Sequence, residues 1–127
     1  MSCLFDSIGH LIQCDPLLLR EKVCDYLASN PKWFDDGTHV EDVLKWQLGD
    51  HSPETYIRNM RNVSTWGSSN EIRAICDLVG APIVVHNVRD DPPTEIEFLP
   101  LRPKYRKRKA LHISWSGGHY TPFPESP

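Results

Sequence analysis

The sequence changes its period at Gly80-Ala81-Pro82, and that switch limits the fold more than any other feature. Ahead of it, five stretches read as helices, most of them with an apolar stripe at helical spacing and local start or stop signals. Behind it, Ile83-Val84-Val85 is a continuous β-branched run of the kind that forms a buried strand, and period-two alternation follows. Helices first and strands last predict an α+β fold, with N-terminal helices packed on a small, mostly antiparallel sheet. No linker or repeat interrupts the pattern, so residues 1–127 read as a single domain.

The individual elements follow from their punctuation. Leu4, Phe5, Ile8, Leu11 and Ile12 mark the first helix, with Ser2 as its cap and Cys3 in its first turn. Asp15-Pro16 opens a second helix, whose stripe is Leu19, Val23, Tyr26 and Leu27, and Asn30-Pro31 stops it. Thr38 and Glu41 make a capping box for a third helix through Val40, Val43, Leu44 and Leu48, ended by Gly49. Ser52-Pro53 starts a short fourth. Ser68 and Glu71 cap a fifth, with Ile72, Ile75, Cys76 and Val79 on its buried side. After the first strand, Ile96, Phe98 and Leu101 alternate along a second, and Leu111, Ile113 and Trp115 along a third. Ser116-Gly117-Gly118 then turns the chain into a short fourth strand, His119-Tyr120-Thr121.

Size and charge exclude several classes. No apolar run approaches the roughly 20 residues needed to span a bilayer, which argues against a membrane protein. MSCLFDSIGH has neither the cationic start nor the small-residue cleavage site of a secretory signal. The net charge of −3 is unevenly spread: five of the six residues Lys104–Lys109 are cationic, leaving nine cations against seventeen carboxylates elsewhere. An acidic body with one basic segment argues against a general nucleic-acid binder. The segment itself reads as a solvated loop between strands, as a contact for RNA or an anionic surface, or as a site that shapes substrate docking. The four cysteines, at 3, 14, 24 and 76, lack the close pairs of a structural zinc site. They read as free thiols in a reducing compartment, with Cys14, Cys24 and Cys76 packed as small hydrophobes. No metal or organic cofactor is implied.

Cys3 is the sharpest chemical feature. In the first turn of a helix, unpaired backbone N–H groups carry partial positive charge and favour a thiolate over a thiol. A cysteine with no task is the competing reading. A working thiolate needs an imidazole beside it, and six histidines are available. His10 is nearly two helical turns away. His39 and His51 sit among capping residues, and His86 and His112 lie within strands. His119 differs, following a Gly-Gly turn between Trp115 and Tyr120, where glycines allow a close backbone approach.

SCLFDSI resembles the nucleophile motif of the ovarian-tumour (OTU) cysteine proteases, in which Asp-Gly-x-Cys-Leu-Phe leads into a helix. MRNVSTWGSSNEIRAICDLVGAPIVVHN resembles that family's middle block, and ISWSGGHYTPF its C-terminal block, where an aromatic residue follows the catalytic His. The three blocks occur in family order and cover nearly the whole chain. The resemblance implies the papain-like OTU fold, with Cys3 as nucleophile, His119 as general base, and the backbone N–H groups at Ser2 and Cys3 as the oxyanion hole. It implies Thr121 in the place of the orienting residue, where the family often has Asp, Asn or Glu. Asn87 or Asp90 is an alternative third group. Trp115, Gly117, Gly118 and Tyr120 line the implied substrate channel, while Trp66-Gly67 supports the fold. The family's Asp-Gly is absent; only Met1 and Ser2 precede Cys3.

The implied function is a cysteine-type deubiquitinase that cuts after the C-terminal Gly-Gly of ubiquitin or a ubiquitin-like modifier. Compact viral members of the family are the most similar in size. Two rivals follow: a viral polyprotein protease of the same fold, and a ubiquitin-binding module with impaired catalysis. The expected location is cytoplasmic, the host cytosol if the chain is viral, and the expected partner is ubiquitin, with no membrane and no nucleic acid.

Overall fold

The computed structural model describes residues 3–49 and 52–123, apart from the side chains of Cys3 and Leu48. Five helices come first: α1 (Cys3–Ile12), α2 (Pro16–Ala28), α3 (Val40–Leu48), α4 (Pro53–Met60) and α5 (Ser69–Val79). Four strands follow, β1 (Ile83–Asn87), β2 (Thr94–Phe98), β3 (Leu111–Trp115) and β4 (Tyr120–Pro122), with a 3-10 turn over Pro103–Tyr105. The fold is α+β, as the change of period predicts.

Most helix ends form where the sequence places them. Asp15 Oδ1 accepts the Leu17 N–H at 2.8 Å and Ser52 Oγ accepts that of Thr55 at 3.1 Å. At α5, Glu71 Oε1 accepts both the N–H and the hydroxyl of Ser68, each at 2.7 Å. The start of α3 differs from expectation by one residue: the cap is His39, whose N–H donates to Asp42 Oδ2 at 3.2 Å. Thr38 is drawn out of the capping position because its N–H goes to Asp36 Oδ1 at 2.9 Å and its carbonyl accepts from Trp33 at 2.7 Å. Glu41 donates its N–H to Asn30 Oδ1 at 2.9 Å, so the residue that stops α2 also serves α3. The expected cap of α1, Ser2, lies outside the described residues.

The sheet is mixed, in the order β2-β1-β3-β4. Antiparallel pairs at both sides flank a central parallel pair, in which Ile83 faces Leu111 and Asn87 faces Trp115. That parallel pair requires a long crossover, which residues 88–110 supply and which carries β2 and the basic segment. Leu101 falls beyond β2, where its N–H donates to Asp77 Oδ1 at 2.7 Å. Ile83, Val85 and Ile113 join the helices in one core with Phe5, Ile8, Val23, Leu44 and Ile75. Alternation turns Val84, His86, His112 and Ser114 to the opposite face, where the ring nitrogens His86 Nε2 and His112 Nδ1 lie 2.8 Å apart and Phe123 stacks on His86.

The core also holds a charge. Arg20 is only 2% exposed, lies over the Phe5 ring at 4.4 Å, and donates to the carbonyls of Met60 at 2.7 Å and Thr65 at 2.8 Å. These bonds fix the segment between α4 and α5 against α1 and α2.

Candidate active site

The first turn of α1 is anchored from within. Leu4 and Phe5 are buried, and the helix packs on β4 and β3. Cys3 is the first residue of α1; its side chain, and the whole of Ser2, lie outside the described residues. The segment tied down by Arg20 reaches this turn at Gly67. A Cβ there would lie 2.5 Å from Leu4 Cδ2 and 3.3 Å from both Leu4 Cβ and Phe5 Cε2, so only glycine allows that approach.

The opposite wall comes from the β3–β4 turn. Trp115 pairs with Tyr120, and the Ser116 N–H donates to the His119 carbonyl at 3.0 Å, closing the turn. Gly117 has φ +99°, a conformation that glycine adopts without strain. Between the two walls is a cavity of about 290 Å³ lined by Leu4, Trp66, Gly67, Ser68, Ser69, Trp115, Gly117, Gly118 and Tyr120. All four residues expected to contact substrate, Trp115, Gly117, Gly118 and Tyr120, therefore line one cleft beside the start of α1. A larger hollow of about 690 Å³, between α2, α3 and α4, includes none of the expected site residues.

His119 is exposed at the end of that turn, one position before β4. Thr121 is two residues on, within β4 and paired with Ser114. The alternative third groups are committed elsewhere: Asn87 Oδ1 accepts the Arg89 N–H at 3.1 Å, and Asp90 Oδ2 accepts from the Thr94 hydroxyl at 2.6 Å. His86 and His112 are engaged on the outer face of the sheet, as expected for strand histidines. His51 lies outside the described residues.

One expectation is corrected. Trp66 does not support the core; it is 64% exposed and lines the cleft. Its neighbours on either side are held, Thr65 by Arg20 and Gly67 by α1, and the indole between them is turned outward. Sequence reasoning also missed Ser68 and Ser69, although the capping box locates them.

Beneath the cleft, Glu71 is fully buried. Its Oε2 accepts from the Tyr56 hydroxyl at 2.7 Å while Oε1 holds Ser68, a cleft-lining residue. Burial pushes its carboxyl above the ordinary carboxylate range. Burial, with Glu71 adding to it, likewise raises the Tyr120 phenol. Cys24 and Cys76 are buried thiols, pushed up to about 11 and about 12 by desolvation. Among the described residues, no three His, Cys, Asp or Glu side chains group so as to hold a metal ion, and no helix is long and apolar enough to cross a membrane.

The basic segment lies at the far end of the sheet, where β1 and β3 begin. Arg106 donates to the carbonyls of Pro100 and Leu101, and Arg108 lies over the Tyr105 ring at 4.3 Å with its Nη1 toward the Gly80 carbonyl.

Comparison with known proteins agrees with this geometry. "Ubiquitin thioesterase otu2" of Schizosaccharomyces pombe is 28% identical over 130 residues, an alignment that covers 94% of this chain and 41% of that protein. A solved OTU domain in complex with ubiquitin has a TM-score of 0.69 at 24% identity, covering 94% of this chain and 62% of that one. The viral OTU domain protease of Dera Ghazi Khan virus has a TM-score of 0.64 at 17% identity, over 94% and 72% of the two chains. The chain thus spans less than two thirds of the length of the first two, and the fold it shares with the solved domains is the α+β OTU fold. The family pattern described as OTU-like cysteine protease matches residues 2–121, and the chain belongs to that family.

Proposed function

We propose that the chain is a thiol-dependent deubiquitinase, cutting the bond after the C-terminal Gly-Gly of ubiquitin or a ubiquitin-like modifier. The observation that carries this reading is the cleft itself. It lies beside the first turn of α1, where Cys3 stands, and is walled by the Gly117-Gly118 turn that leads into His119. Glycines on one wall and Trp66 and Trp115 beside them suit a passage for a side-chain-free Gly-Gly tail. The acidic surplus of the body suits the cation that precedes it in the Leu-Arg-Gly-Gly end of ubiquitin.

In this mechanism His119 accepts the Cys3 proton, and the thiolate attacks the scissile carbonyl to give a tetrahedral oxyanion. The backbone N–H groups at Ser2 and Cys3 stabilise that oxyanion, each such donor being worth about 2.7–4 kcal/mol. His119 then protonates the leaving amine, and water resolves the acyl-enzyme with His119 as base. Thr121 orients the His119 ring through a hydroxyl rather than a carboxylate, which makes Cys3 and His119 close to a dyad. Trp66, Trp115, Gly117, Gly118 and Tyr120 hold the substrate tail. Action in a reducing compartment such as the cytosol belongs to the same reading.

One second reading is cleavage of a viral polyprotein junction by the same residues; a viral OTU domain protease shares the fold. Hydrolysis of ubiquitin chains against a panel of junction peptides separates the two. The deubiquitinase reading expects chains to be cut and the peptides spared; intact chains with a cleaved peptide overturn it. Ubiquitin binding without any hydrolysis would identify instead a binding module that has lost turnover.

A further inference from the structure

A Cβ at Gly117 would lie 2.7 Å from Arg89 Cδ, 3.1 Å from its Nε and 3.2 Å from its Nη1. The same guanidinium is 5.7 Å from the centre of the Trp115 ring. One exposed side chain from the β1–β2 turn therefore covers both the back of Gly117 and a face of Trp115, two residues that line the cleft. The turn that carries it is itself tied down. Asn87 Oδ1 accepts the Arg89 N–H at 3.1 Å, and the Val88 N–H donates to the Trp115 carbonyl at 3.1 Å. His119 is two residues past Gly117, and its carbonyl closes the turn by accepting from Ser116.

We propose that Arg89 is a positioning residue of this site: its stem wedges against Gly117 and its guanidinium covers Trp115, holding the cleft wall and, through the closed turn, the place of His119. The bare Gly117 leaves room for the wedge, and its left-handed backbone keeps the turn in the one shape that meets it. Arg89 acts through the turn that it braces. The kinetic consequence rests on the deubiquitinase reading; the mechanical one does not.

The test compares Arg89→Ala and Arg89→Lys with the parent in hydrolysis of a ubiquitin C-terminal amide and in amide hydrogen exchange at Ser116. Misplacing a catalytic group by 1 Å can cost about 100-fold, and a loosened turn costs less. Arg89→Ala is therefore expected to lose about tenfold in kcat, with KM within about threefold. Its melting temperature should stay within about 2 °C, because an exposed side chain contributes little to stability. Ser116 should exchange about tenfold faster in Arg89→Ala as the turn opens. Arg89→Lys keeps the Cδ stem and should recover both readouts to within about threefold of the parent. An Arg89→Ala enzyme with kcat within twofold of the parent, or with Ser116 exchange unchanged, overturns the proposal. If the parent itself shows no turnover, the deubiquitinase reading fails, and Ser116 exchange alone decides the role of Arg89.

Discussion

Gly67→Ala tests the contact that sets the cleft against α1. The added methyl would sit 2.5 Å from Leu4 Cδ2, well inside van der Waals contact. Leu4 is 1% exposed, so rotating it away only moves the clash into the core. Leu4 Cβ and Phe5 Cε2, each 3.3 Å from the new atom, block the remaining directions. Overpacking of this kind costs about 1–3 kcal/mol. For a chain of 127 residues, that is a melting temperature lower by about 4–11 °C. The shift is also directional: the loop or the first turn of α1 must give way, which displaces Cys3 relative to the opposite wall. Under native conditions, the rate of Cys3 acylation by a ubiquitin C-terminal electrophile should fall by about 10- to 100-fold. Gly118→Ala is the control, because a Cβ at Gly118 meets no atom within 4 Å. It should melt within about 2 °C of the parent while slowing acylation, since Gly118 lines the cleft. A Gly67→Ala protein with parental melting and parental acylation would refute the reasoning.

Three further outcomes follow from the same geometry. Burial holds the Glu71 carboxyl above its ordinary range, so the folded chain keeps that proton more tightly than the unfolded chain. The stability tied to Glu71 is then full below the unfolded carboxylate pKa and lost as pH rises through the folded one. The parent should therefore gain on Glu71→Gln in melting temperature as pH falls from about 8 to about 5, and a pH-independent difference contradicts this. With thiols pushed up to about 11 and about 12, Cys24 and Cys76 should resist iodoacetamide in the native protein and react in denaturant; native labelling at either contradicts their burial. Thr121→Ala should lower kcat by more than about threefold, and a smaller loss removes Thr121 as the orienting group of His119.

Much of this fold is legible because helix ends are local chemistry. Asp15, Ser52, Ser68 and Glu71 cap as read, since each bond closes within four residues. The start of α3 moves because Thr38 is claimed by Asp36 and Trp33, a competition that periodicity does not register. The parallel pairing of β1 with β3 is invisible to alternation, because pairing depends on where the 88–110 crossover returns the chain. The site divides in the same way. Trp115, Gly117, Gly118 and Tyr120 fall within one turn and its two flanking strands, and the structure brings them together in one cleft. Trp66 misleads because a large apolar side chain suggests the core. Its exposure is set by Arg20, 45 residues away from Thr65 in sequence, and by the glycine after it. Arg89 gives no local sign of such a role, since its side chain meets Trp115 and Gly117, which lie far along the sequence.

The central claim is that Cys3 is the nucleophile and His119 its base. The most direct measurement is intact and peptide mass spectrometry after reaction with a ubiquitin C-terminal electrophile. One adduct is predicted, mapped to Cys3, absent in Cys3→Ala and formed far more slowly in His119→Ala. No adduct, an adduct on Cys14, Cys24 or Cys76, or a parental rate in His119→Ala would contradict the account.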